Sequence, residues 1–198
     1  EDQRGVLLCV LFAGLTACNL AGVAVAGRAN TVLCAVKLVP LLAFIGIGVW
    51  SIEPARFVPF APQGFGDLGG TTMLMLFAYV GFEGMVIPAG EMREPRRVVP
   101  RALLLGVATV AAVYLGVWAV CAGTLPNLAG HENPVAASAE LFLPEFGATL
   151  IQAGIVVSVL GINLFNGFVT SRALYALGHE RLLPPFFAVV DGRAVPVR

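Results

Sequence analysis

Charge is scarce in this sequence. Only 12% of its 198 residues are Asp, Glu, Lys or Arg, against 58% hydrophobic. A water-soluble domain of this size carries about a quarter charged residues to cover its surface, so the bulk of the chain is not a soluble globule. Histidine is scarcer still. The two present, His131 and His179, are expected in loops, where they cannot complete a Ser/His/Asp set, and neither an HExxH nor a Walker loop occurs. Enzyme chemistry is left without a carrier. The four cysteines, Cys9, Cys18, Cys34 and Cys121, lie inside apolar blocks without metal-like pairing. They read as buried free thiols acting as small hydrophobes, and no metal or cofactor is expected. No secretory signal is visible, because the first apolar block runs far past a short h-region and lacks a basic flank. The chain starts on Glu1 and Asp2 rather than Met, as a piece of a larger protein would.

What is present in quantity is apolar helix. Crossing a bilayer core of about 30 Å takes roughly 20 apolar residues. Five blocks qualify: 5–25, 31–52, 70–90, 102–125 and 146–170. They lack period-2 alternation, which argues for helices and against a barrel. The expected fold is an all-α membrane protein, a single transmembrane domain of five helices with a tail over 171–198. Turn chemistry separates the blocks: "AGRAN" as a short reversal, "SIEPARFVPFAPQGFGDLGG" as a Pro/Gly-rich loop, "MREPRRVVPR" as a charged hinge with Pro100 in the first turn of the next helix.

The few cations are placed unevenly. Arg28, Arg93, Arg96, Arg97, Arg101, Arg172, Arg181, Arg193 and Arg198 fall on one side of the expected topology and only Arg4 and Arg56 on the other, with Lys37 inside a span. Basic loops stay cytoplasmic, so the N-terminus is expected outside and the C-terminus inside. The arginines are juxtamembrane and lack interleaved aromatics, which removes a nucleic-acid reading.

The third block breaks its own pattern. In "FAYVGFEGMVIPAGEMREPRRVVPRA" two glycines, Gly81 and Gly84, bracket Phe82 and Glu83. Each glycine costs roughly 1 kcal/mol against alanine in a helix interior, and a charged Glu83 at mid-membrane about 2.5 kcal/mol or more. Two readings stand. The helix unwinds here and uses its freed peptide groups to line a cavity or bind something. Alternatively, the glycines let a neighbouring helix approach, with Glu83 as a structural hydrogen-bond partner.

These residues also resemble the sixth transmembrane segment and following loop of amino acid permeases of the amino acid–polyamine–organocation superfamily, which has the LeuT-type inverted-repeat fold. Glu94 departs from the Asn or Asp commoner before the proline there. "NLAGVAVAGRANTVLCAVKLVPLLAF" is similar to the join of the fourth and fifth segments, and "SRALYALGHERLLPPFFAVV" to the stretch after the eighth. The resemblance places the chain at segments four to eight of about twelve, with the third span discontinuous. It implies a secondary active transporter that moves amino acids across the plasma membrane by alternating access and is proton-coupled. The partners would be the amino acid, protons and the lipid bilayer.

By the same resemblance, Phe77 stands where relatives keep an aromatic gate. Ala78, Tyr79, Val80 and Gly81 stand where backbone carbonyls receive the substrate ammonium. Glu83 matches an acid linked to the unwound segment, tuning protonation or satisfying freed backbone groups. Lys37, about seven residues and so ~10 Å into its span, either snorkels to the interface or occupies the place of a sodium ion in sodium-driven relatives. In that place it can load and release a proton. Asn163 and Asn166 share a helical face with Thr170 that either lines the cavity or holds helices together, and the resemblance places Asn166, and more weakly Asn163, near a subsite for the substrate's side chain. The alternatives are an exchanger or exporter without net proton coupling, and a permease-like membrane scaffold or sensor that transports nothing.

Overall fold

In the structure, a computed structural model, residues 2–59, 64–66 and 68–189 are described. Among them six α-helices follow in chain order: α1 Asp2–Leu20, α2 Val23–Gly48, α3 Leu68–Ala78, α4 Pro95–Thr124, α5 Pro134–Phe142 and α6 Gly147–His179. The described residues contain no strand. Among the described residues four stretches are long and apolar enough to cross a membrane: Ala24–Ser51, Leu68–Ile87, Pro95–Thr124 and Gly147–His179; the apolar part of α1, Leu8–Leu20, is shorter.

Several boundaries differ from expectation. The reversal expected at "AGRAN" sits earlier. Ala21 N–H and Gly22 N–H bond back to the carbonyls of Ala17 and Asn19, and Gly22 takes φ +115°, a conformation open to glycine and costly for other residues. Residues 26–30 are instead helical, since Gly27 is tolerated inside α2. Pro95, not Pro100, fills the first turn of α4, and Pro100 lies within the helix. Helix α6 continues to His179, so the expected tail starts as helix and His179 is not in a loop. Arg193 and Arg198, used for orientation, lie outside the described residues.

The chain divides into two compact units. One comprises Lys37–Glu83 and Arg93–Val156. Its core is Phe44, Val120, Cys121, Ala139 and Ile151, with the Phe44 and Phe142 rings 5.4 Å apart. Between helices surrounded by lipid this is van der Waals packing rather than removal of apolar surface from water, so small residues matter. A Cβ added to Gly48, Gly116, Gly123 or Gly154 would meet Val120, Ile45, Ile52 or Pro40 at 2.5–2.9 Å. Asn133 caps α5, its side chain accepting from Ala136 N–H at 3.2 Å, with Pro134 next in the first turn.

The other unit comprises Glu1–Val36, Gly84–Met92 and Val157–Arg198. Here Asn19 Nδ2 of α1 bonds Leu15 O at 3.3 Å and Leu164 O of α6 at 3.4 Å. Gly167 makes the room, since a Cβ there would lie 2.9 Å from Asn19 Nδ2. Arg172 is buried, donates to Phe168 O at 2.9 Å and stacks over the Phe168 ring at 3.4 Å. All four cysteines are free, but only Cys121 is buried and Cys18 half-buried. Cys9 and Cys34 are exposed, beside the exposed Leu8, Val10, Val32 and Val36. A thiol is apolar enough for such a face, so the expectation that all four are buried fails.

Candidate functional site

Helix α3 stops at Ala78, within an apolar run that continues. Its ladder tightens into two three-residue turns, Tyr79 N–H to Leu76 O at 3.1 Å and Val80 N–H to Phe77 O at 3.3 Å. Gly81 follows at φ +111°, and a 3₁₀ helix carries the chain over Phe82–Glu91. The two bracketing glycines do different work. Nothing lies within 4 Å of where a Gly81 Cβ would stand, so this glycine is required by its backbone angle. A Gly84 Cβ would lie 3.2 Å from Phe165, so that glycine admits a neighbouring ring. Each of the two open readings of this stretch describes one glycine.

An interrupted helix leaves peptide groups to be satisfied. The Ala78 carbonyl accepts from the Tyr114 hydroxyl of α4 at 3.1 Å. Gly81 N–H donates to Glu83 Oε2 at 2.9 Å, so the Glu83 carboxylate satisfies a freed backbone donor. Between these two anchored residues, the carbonyls of Tyr79 and Val80 accept no hydrogen bond from any described residue. In a bilayer an unsatisfied carbonyl is tolerated only where it meets a cavity or a ligand. Two adjacent carbonyl dipoles can neutralise an ammonium without importing a fixed charge.

The remaining expected residues are distributed as follows. Phe77 and Val80 are strongly exposed and Ala78, Gly81 and Glu83 are exposed, while Tyr79 is half-buried. The Tyr79 ring meets the Tyr114 ring edge-on at 5.5 Å and 71°. Lys37 is half-buried on α2 in the same unit and forms no ion pair among the described residues. Asn163 and Asn166 belong to the other unit. Asn163 Nδ2 is engaged by Val159 O of its own helix at 2.8 Å, so no helix-to-helix bond is formed by that amide. Asn166 is exposed. That unit also holds a cavity of about 80 Å³, lined by Ala26, Gly27, Asn30, Leu164, Phe165 and Phe168.

Two residues were missed by the sequence reading: Tyr114 and Asn19. A phenol or an amide inside an apolar span needs a partner, and that was the available signal. Asn19 found the Leu164 carbonyl and Tyr114 the end of α3.

Residues 3–198 match the family described as amino acid permease. Curated relatives include the cationic amino acid transporter 9, chloroplastic, of Arabidopsis thaliana, 31% identical over 92% of this chain and 32% of the relative. The branched-chain amino acid permease BcaP of Lactococcus lactis is 29% identical over 88% of this chain and 40% of its own length. The serine/threonine exchanger SteT of Bacillus subtilis is 29% identical over 90% and 41%. The chain thus spans less than half the length of each of these relatives.

Proposed function

The chain belongs to the amino acid permease family, and from that premise we propose that it contributes five spanning helices of a LeuT-type inverted repeat to a secondary active transporter. The transporter moves amino acids across the plasma membrane by alternating access, coupled to protons, with its arginine-rich side cytoplasmic. The observation that carries this reading is the interruption after Ala78, which leaves the carbonyls of Tyr79 and Val80 without a hydrogen-bond partner among the described residues. In an apolar surround such a pair binds an ammonium group, and a zwitterionic amino acid brings one. Phe77 then gates the site and Ala78 to Gly81 line it. By the resemblance to amino acid permeases alone, Asn166, and more weakly Asn163, is assigned to recognition of the substrate's side chain.

Lys37 is the proton-coupling group, with Glu83 holding the broken segment and tuning protonation there. Lys37 is half-buried and pairs with no carboxylate among the described residues, so no described ion pair holds it in place. The test is uptake by the full-length protein in proteoliposomes. Wild-type protein should concentrate an amino acid when a proton gradient is imposed, and Lys37→Ala should lose uphill uptake and its pH dependence. Uphill uptake by Lys37→Ala with an unchanged pH profile rejects proton coupling through this lysine. A second reading, exchange without net proton coupling, is favoured by the likeness to the serine/threonine exchanger SteT. It predicts flux only when amino acid is present on both sides.

A further inference from the structure

We infer that Tyr114 is a positioning residue for the interrupted segment: its hydroxyl occupies the Ala78 carbonyl that would otherwise rewind the helix through Gly81. The consequence for substrate rests on the transport reading above. In an unbroken helix Ala78 O would accept from Phe82 N–H, Tyr79 O from Glu83 N–H and Val80 O from Gly84 N–H. Rewinding would therefore consume both carbonyls that now have no partner among the described residues. Glycine at 81 does not prevent this, since it adopts helical angles as readily as its present φ +111°. Something else must favour the open form, and two contacts do so.

The first is the phenol at 3.1 Å from Ala78 O, which replaces the missing amide at the last carbonyl of α3. It arrives from α4, a regular helix of 30 residues, so its position is fixed independently of the segment it holds. The Tyr79 ring, edge-on to the same phenol at 5.5 Å, adds a second point of attachment one residue further on. The other contact is Glu83 Oε2 on Gly81 N–H. The interrupted stretch is thereby held at a carbonyl on its near side and an amide on its far side. Ammonium recognition falls chiefly on the two carbonyls in between, while Ala78 is committed to α4.

Tyr114→Phe keeps the ring contact and deletes only the donor. If rewinding competes with the open form, the binding-competent fraction falls and apparent affinity falls with it. For the full-length protein in proteoliposomes, the KM for amino acid uptake should rise roughly three- to tenfold, as loss of one neutral hydrogen bond implies, with the maximal rate nearly unchanged. Replacing Tyr114 by p-aminophenylalanine, which still donates, should restore the KM. Replacing it by p-methoxyphenylalanine, which cannot donate, should not. A KM unchanged in Tyr114→Phe, or a p-methoxy form as good as the p-amino form, overturns the inference. A wild-type protein that moves no amino acid removes the transport reading instead. The Ala78 bond is then read by isotope-edited infrared difference spectra of carbonyl-labelled alanine. An upward shift of the amide I band in Tyr114→Phe supports the brace, and no shift overturns it.

Discussion

Around Gly48, Gly116 and Gly123 the missing side chains are replaced by Val120, Ile45 and Ile52, which reach within 2.5–2.9 Å of where a Cβ would stand, whereas around Gly81 nothing lies within 4 Å. Both regions belong to one unit of the chain. In the first, glycine buys close packing where the hydrophobic effect offers no help between helices in lipid, and the reward is a tight core around Phe44 and Val120. In the second, glycine supplies a backbone angle of +111°, and two carbonyls have no partner among the described residues, which an apolar medium tolerates only beside a cavity or a ligand. A packed region and an open one thus share the same residue type, and substitution separates their roles.

The sharpest division comes from Gly81→Ala. A Cβ there has room, but φ +111° costs an L residue about 1–3 kcal/mol. The segment is driven toward regular helix, and uptake at low substrate should fall by one to two orders of magnitude, roughly as that penalty converts. Thermal unfolding should hardly change. Uptake that survives this substitution would erase the distinction. Gly147→Ala should behave in the opposite way. Its Cβ would stand 2.6 Å from the backbone of Ala139, which cannot swing aside, so the expected loss is about 1–3 kcal/mol of stability. That loss is read as a lowered melting temperature with substrate affinity intact. A melting temperature equal to wild type would show that the packed region yields more easily than its geometry implies.

The smallest expected effect is a gain. Glu94 precedes α4 at φ +51° and makes no side-chain cap. Its pair with Arg97, 3.6 Å long and largely exposed on both sides, is worth little. Asn tolerates this left-handed angle better and caps a helix, so Glu94→Asn should raise stability by about 1 kcal/mol, measured by thermal unfolding. No gain would mean that the ion pair contributes more than its exposure suggests.

The interruption was legible because Gly81, Glu83 and Gly84 each violate what an apolar helix requires, and three violations in four residues point to one place. The division of labour between the two glycines was not legible, since it depends on Phe165 from a distant part of the chain. "AGRAN" misled because Gly27 and Asn30 have the composition of a turn, while Gly22 took the positive φ. The departure at Glu94 was visible as a mismatch to the permease pattern, and its left-handed angle explains why Asn or Asp suits that position. Tyr114 carried no spacing signal at all. Its role appears only when α4 brings the hydroxyl to the end of α3.

The most direct measurement is an experimental structure of the full-length protein with an amino acid bound. The account predicts that the helix ends at Ala78 and that the ligand nitrogen lies about 3 Å from the carbonyl oxygens of Tyr79 and Val80. A continuous helix in which Phe82, Glu83 and Gly84 amides bond back to Ala78, Tyr79 and Val80, with the amino acid held elsewhere, would contradict it.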